Sequence, residues 1–92
     1  MYQTTEKMAS IENVVEIYSD MLFRVCLIML GNDADAEDAV QETFLKYIEK
    51  SPEFNDKEHE KAWLIKVARN KCKDIVRSRK NTVGTYVDFR ND

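Results

Sequence analysis

The chain has 92 residues, 43% of them hydrophobic and 34% charged, with a net charge of −3. That balance fits one globular domain and excludes the low-hydrophobicity signature of a disordered chain. Two glycines and one proline are too few for the turns of an all-β fold, so an all-α architecture is expected.

The first predicted element runs from about Ile11 to Leu30. Ile11, Val14, Val15, Tyr18, Leu22, Val25 and Met29 recur at three- and four-residue steps, which marks one face of a helix. Ser10 is its expected N-cap, with Glu12 in the first turn, and Gly31 is its stop. Phe23, Cys26, Leu27, Ile28 and Leu30 make the second half apolar nearly all round. That half is expected at the centre of the bundle.

The second helix is predicted from Ala34 or Ala36 to Lys50, with Asp33 or Asp35 as its cap. Glu37 and Asp38 suit the positive end of its dipole, and Ser51-Pro52 ends it. Ala36, Val40, Phe44, Tyr47 and Ile48 form its expected inward face. A short polar connection containing Phe54 follows, from Pro52 to about Glu58. The third helix is predicted from about His59 to about Lys80, with Leu64, Val67, Ala68, Cys72, Ile75 and Val76 facing in. Residues Asn81–Asp92 show no sustained period and read as a linker or tail. The expected fold is a compact three- to four-helix bundle over residues 1–80.

The most apolar stretch, Met21 to Leu30, is interrupted by Arg24 and falls short of the about 20 residues of a membrane span. No membrane insertion is expected. The N-terminus, MYQTTEKMAS, has no basic segment leading into an apolar run, so no secretory signal is expected. Cys26 and Cys72 lie inside apolar runs and read as small core residues in a reducing, cytoplasmic setting. One histidine and two cysteines without ligand spacing make a poor metal site. There is no glycine-rich phosphate loop and no nucleophile with a base to activate it. Neither a cofactor nor an enzymatic activity is expected.

The charge is unevenly spread. Residues 1–60 carry five basic and fourteen acidic residues, or −9, whereas residues 61–80 carry eight basic residues and one acid, or +7. On the second helix, Asp38, Gln41, Glu42, Leu45 and Glu49 fall opposite Val40 and Phe44. This face is either a solvated surface or a docking face with a leucine anchor among polar groups. On the third helix, Lys66, Arg69, Lys73, Arg77 and Lys80 form one stripe, with Trp63 and Asn70 along its edge. Cations for phosphates, an amide for a base edge and an aromatic make a nucleic-acid footprint. The plainer readings are a solubilising face, a core tryptophan and a surface amide. His59 is read most simply as part of the helix start.

The segments DADAEDAVQETFLKYIEK (33–50) and FNDKEHEKAWLIKVARNKCKDIVRSRK (54–80) together resemble region two of bacterial sigma factors, in particular the extracytoplasmic-function group. The likeness covers roughly Val14 to Lys80. It implies a helical domain that docks on the clamp helices of the β′ subunit of core RNA polymerase. It also implies recognition and melting of the minus-ten promoter element, with an unpaired base of the non-template strand captured in a loop. Carried over residue by residue, docking falls on Asp38, Gln41, Glu42, Leu45 and Lys46. Base capture falls on the loop Asn55, Asp56, Lys57, Glu58 and His59. Promoter reading falls on Lys66, Arg69, Asn70 and Lys73, with Arg77 as a phosphate contact. An anti-sigma factor is a further implied partner.

Two departures from the family stand out. The capture loop reads Asn-Asp-Lys-Glu-His, bulkier and more acidic than the small residues and glycine common in relatives. The second family domain, region four, has no counterpart after Lys80, so the chain is expected to be a piece of a longer factor. The alternative reading is a helical protein-interaction module without DNA binding.

Overall fold

A computed structural model describes residues 2–82, with side chains over 11–79. Three helices account for nearly all of it: α1 (Tyr2–Leu30), α2 (Asp33–Lys50) and α3 (Lys57–Thr82). Each packs against the other two, so the all-α bundle expected from composition has three members among the described residues. Residues 83–92, most of the expected tail, lie outside them.

The helix starts differ from expectation, and each has a local cause. α1 begins at Tyr2, so Ser10 lies within the helix and does not cap it. Gly31 ends α1 at φ +83°, where its N–H still reaches the Leu27 carbonyl at 2.8 Å. The chain then becomes extended at Asn32, so Asn32 caps α2, and neither Asp33 nor Asp35 does. Its Oδ1 accepts the Asp35 N–H at 2.9 Å, satisfying one of the orphan donors of the first turn. Ser51, at φ 46° before Pro52, closes α2 through its N–H on the Tyr47 carbonyl. α3 starts two residues before His59 because Asp56 takes the His59 N–H at 2.8 Å. His59 returns the contact by accepting the Asn55 N–H on Nδ1 at 3.3 Å, in the manner of a capping box.

The core is a set of i, i+4 rows. Val14, Tyr18, Leu22, Cys26 and Leu30 of α1 face Ala36, Ala39 and Phe44 of α2 and Leu64, Ala68 and Cys72 of α3. Leu22 and Leu64 are fully buried, each contributing roughly 1.5–3 kcal/mol of transfer free energy. Two expected inward residues face out. Ile28 is 84% exposed and Ile48 41%. Three helices shield only one side of each, so the second half of α1 is not buried all round. Ala39 and Thr43 were not expected inside. Their small volume lets α2 approach closely, and Thr43 Oγ1 donates to the Ala39 carbonyl at 2.8 Å, so no polar atom is stranded.

Two polar ties join the helices. Arg79 of α3 donates to the Leu30 carbonyl at 3.1 Å and pairs with the Asp35 carboxylate. A cation there suits the negative end of α1. Glu60 of α3 accepts from Tyr18 of α1 at 3.2 Å and from Tyr47 of α2 at 2.8 Å, linking all three elements at one carboxylate.

Candidate nucleic-acid and protein interface

The outward side of α2 is set by its amphipathic repeat. With Ala36, Ala39, Thr43 and Phe44 buried, the residues between them must point away. Asp38, Gln41, Lys46 and Glu49 are exposed, Leu45 is 56% exposed, and Glu42 is half-buried. Ile48, assigned inward by periodicity, adds apolar surface to this side. The result is a leucine–isoleucine patch ringed mostly by acids.

α3 presents the opposite sign. Lys66, Arg69, Asn70, Lys73 and Arg77 are all exposed. Lys66, Arg69, Asn70 and Lys73 edge a shallow trough whose floor is Ala62 and Ile65. Farther along, Lys73 and Arg77 flank an apolar groove of Met29 and Val76. Arg77 is tied to Asp74 at 3.1 Å, with both side chains more than half exposed. Such a pair is worth at most about 1 kcal/mol, so the guanidinium is readily released to a phosphate. Lys66, Arg69 and Lys73 have no ion-pair partner among the described residues. The Lys80 side chain lies outside them.

The two faces share a boundary. Glu42 and Lys46 of α2 line a groove with Val67, Asn70, Lys71 and Asp74 of α3. Asn70 therefore borders both this groove and the basic trough. Helical periodicity puts each residue on its own helix face but cannot show that the faces adjoin.

The expected capture loop is largely helical. Only Asn55 and Asp56 lie between helices, while Lys57, Glu58 and His59 form the first turn of α3. All five are exposed. The capping exchange at Asp56 and His59 fixes their backbone. Beneath them is an aromatic cluster that sequence reasoning missed. Phe54 stands 5.2 Å from His59, 5.9 Å from Trp63 and 6.1 Å from Tyr47. Trp63 meets Tyr47 edge-on at 5.9 Å. Trp63 is half-buried in this cluster. The tyrosines carry the electrostatic record of this packing. Burial, and then the Glu60 carboxylate, push the Tyr47 hydroxyl up to about 12, and the same two causes raise Tyr18.

Among the described residues no cluster of His, Cys, Asp and Glu could hold a metal, and no helix is long and apolar enough to cross a membrane. What the arrangement offers is recognition: an acidic face with an apolar anchor, a basic trough with an amide at its edge, and a capped corner between α2 and α3.

A family profile described as sigma-70 region 2 matches residues 14–82. The chain is 34% identical over 68 residues to ECF RNA polymerase sigma factor SigW of Bacillus subtilis, covering 74% of this chain and 36% of that protein. It is 32% identical over 72 residues to ECF RNA polymerase sigma factor SigE of Mycolicibacterium smegmatis, covering 78% of this chain and 28% of that protein. The matched region is thus a minor part of either relative's length. No solved structure matches the chain significantly.

Proposed function

The chain belongs to the sigma-70 region 2 family, and on that premise we propose that it is the promoter-recognising domain of an extracytoplasmic-function sigma factor. It is a transcription initiation factor and carries out no chemistry of its own. It works in the cytoplasm with core RNA polymerase, and an anti-sigma factor covering the same surfaces would hold it inactive.

One observation carries the reading: exposed faces of opposite sign on α2 and α3 that meet along one groove. Leu45 anchors the domain on the β′ clamp helices, while Asp38, Gln41, Glu42 and Lys46 around it set register. Anchors of this kind bring most of the binding energy at a protein interface. Lys66, Arg69, Lys73 and Arg77 hold the non-template strand of the minus-ten element, and Asn70 reads a base edge. The corner Asn55–His59 receives the unpaired base. Its cost of a few kcal/mol in lost stacking is offset by contacts there. Melting follows because the domain binds the open strand better than the duplex and shifts the equilibrium by that difference.

The test is a pair of titrations. Against a β′ clamp-helix segment, the protein is expected to bind saturably, and Leu45→Glu and Gln41→Ala to weaken binding without loss of fold. Against a minus-ten single strand, log K is expected to fall with log salt at a slope of about −2 for Lys66, Arg69 and Lys73, approaching −3 when Arg77 joins. Arg69→Glu with Lys73→Glu is expected to abolish that binding. A flat salt dependence, with clamp-helix binding intact, would leave a protein-interaction module without a DNA role.

A further inference from the structure

One apolar groove on the basic side of α3 takes no part in the strand contacts described above. Its walls are Met29 of α1 and Val76 of α3, and its rim carries Lys73 and Arg77. Both wall residues are partly buried against the core, so two packed helices hold the groove in shape. Val76 stands 17 residues beyond His59 on the same helix, about 25 Å along its axis. The groove is therefore a separate place from the Asn55–His59 corner.

Charge and continuity point to its occupant. The groove continues the basic trough, because Lys73 borders both. Lys73 and Arg77 are exposed and, four residues apart on a helix, lie side by side at about 5–6 Å between Cβ atoms. Successive phosphates of one strand can rest on them. A strand so held crosses the mouth of the groove, and the base between those phosphates lies over Met29 and Val76. Neither side chain has a strong hydrogen-bonding group, so the walls cannot read a polar base edge. They distinguish bases by apolar surface alone. Among the DNA bases, the apolar group on offer is the C5 methyl of thymine.

Resting on the strand-binding role given to α3 above, we propose that the Met29–Val76 groove is a thymine subsite. It takes the C5 methyl of a base whose flanking phosphates lie on Lys73 and Arg77. Arg77 leaves Asp74 to meet its phosphate, an exchange that the exposure of both side chains makes cheap. Asp74 itself lines the groove on the α2 side. The methyl leaves water for an apolar wall, and burial of one such group is worth about four-fold in affinity. The phosphates supply the hold and the methyl supplies the choice of base.

The experiment compares two single strands of equal length, all-thymidine and all-deoxyuridine. They share charge and backbone and differ only in the C5 methyl. The 92-residue protein, isotope-labelled at its methionine methyls, is titrated with each at low salt. The thymidine strand is expected to bind about four-fold more tightly. The Met29 methyl signal is expected to move with it, and much less with deoxyuridine. Val76→Thr keeps the side-chain shape and adds a hydroxyl. It is expected to bring the two affinities together, with the deoxyuridine affinity and the salt slope unchanged. Met29→Gln is expected to do the same from α1, and circular dichroism checks that each variant is folded. Equal wild-type affinity for both strands, with the salt slope retained, overturns the subsite and leaves strand binding in place. Binding to neither strand overturns both. A thymidine preference that survives in the folded variants puts the methyl elsewhere and overturns the proposal. So does a Met29 signal that moves with protein concentration before DNA is added, which gives the groove to a second copy of the chain.

Discussion

Replacing Glu60 with alanine removes the acceptor that serves all three helices. Tyr18, 7% exposed as a residue, then has a part-buried hydroxyl that has lost its acceptor. A buried donor left unsatisfied costs about 1–3 kcal/mol. Tyr47 is half-buried, so water takes the place of the carboxylate there, and the loss is nearer the net worth of one hydrogen bond, about 0.5–1.5 kcal/mol. The sum is about 1.5–4.5 kcal/mol. At about 4–8 °C per kcal/mol for a domain of this size, Tm falls by roughly 6–36 °C. Glu60→Gln keeps one acceptor and is expected to lose about half as much. Urea unfolding at neutral pH, followed by circular dichroism, measures each value. A cycle with Tyr18→Phe isolates the pair, with an expected coupling of about 1–2 kcal/mol. A Glu60→Ala protein within about 0.5 kcal/mol of the wild type, or a coupling near zero, would refute the view of this carboxylate as the tie between helices.

Two predictions concern pH. Arg79 first, and then Asn32, hold the Asp35 carboxyl below its ordinary 3.8. The stability this gives is complete above about pH 4 and is lost as pH falls through the lowered folded value; Arg79→Met is expected to remove that acid-sensitive part from urea midpoints taken across the range. Tyr47, raised to about 12, contributes in the other direction: the folded state holds its proton more tightly, so stability is level below pH 10 and falls as pH climbs toward 12, and Tyr47→Phe is expected to flatten that alkaline fall.

The helices were readable because their signals are local and redundant. Gly31 and Ser51-Pro52 mark stops that only a left-handed residue or a proline supplies. The caps were less readable, since Asn32, Asp33 and Asp35 are all competent and the choice rests on where the backbone extends after Gly31. The faces of α2 and α3 followed from periodicity, and the exposed stripe residues lie as that period requires. Ile28 and Ile48 did not, because hydrophobicity says nothing of how many neighbours a helix will have. The tie at Glu60 and the clasp at Arg79 were not readable at all. Each joins residues on different helices, and such partners are set by packing. Glu60 and Arg79 were each counted only as one more charge.

The tie at Glu60 spans two very different chain distances. Its α2 partner is 13 residues away and its α1 partner 42. Loop-closure entropy scales with the logarithm of separation, so the longer closure costs about 1 kcal/mol more. One carboxylate therefore holds both a near and a distant part of the chain. Leu45 lies on the near helix, and the basic trough lies on the helix that carries Glu60 itself. The two recognition surfaces are thus held in mutual position by the shorter and less costly of the two closures.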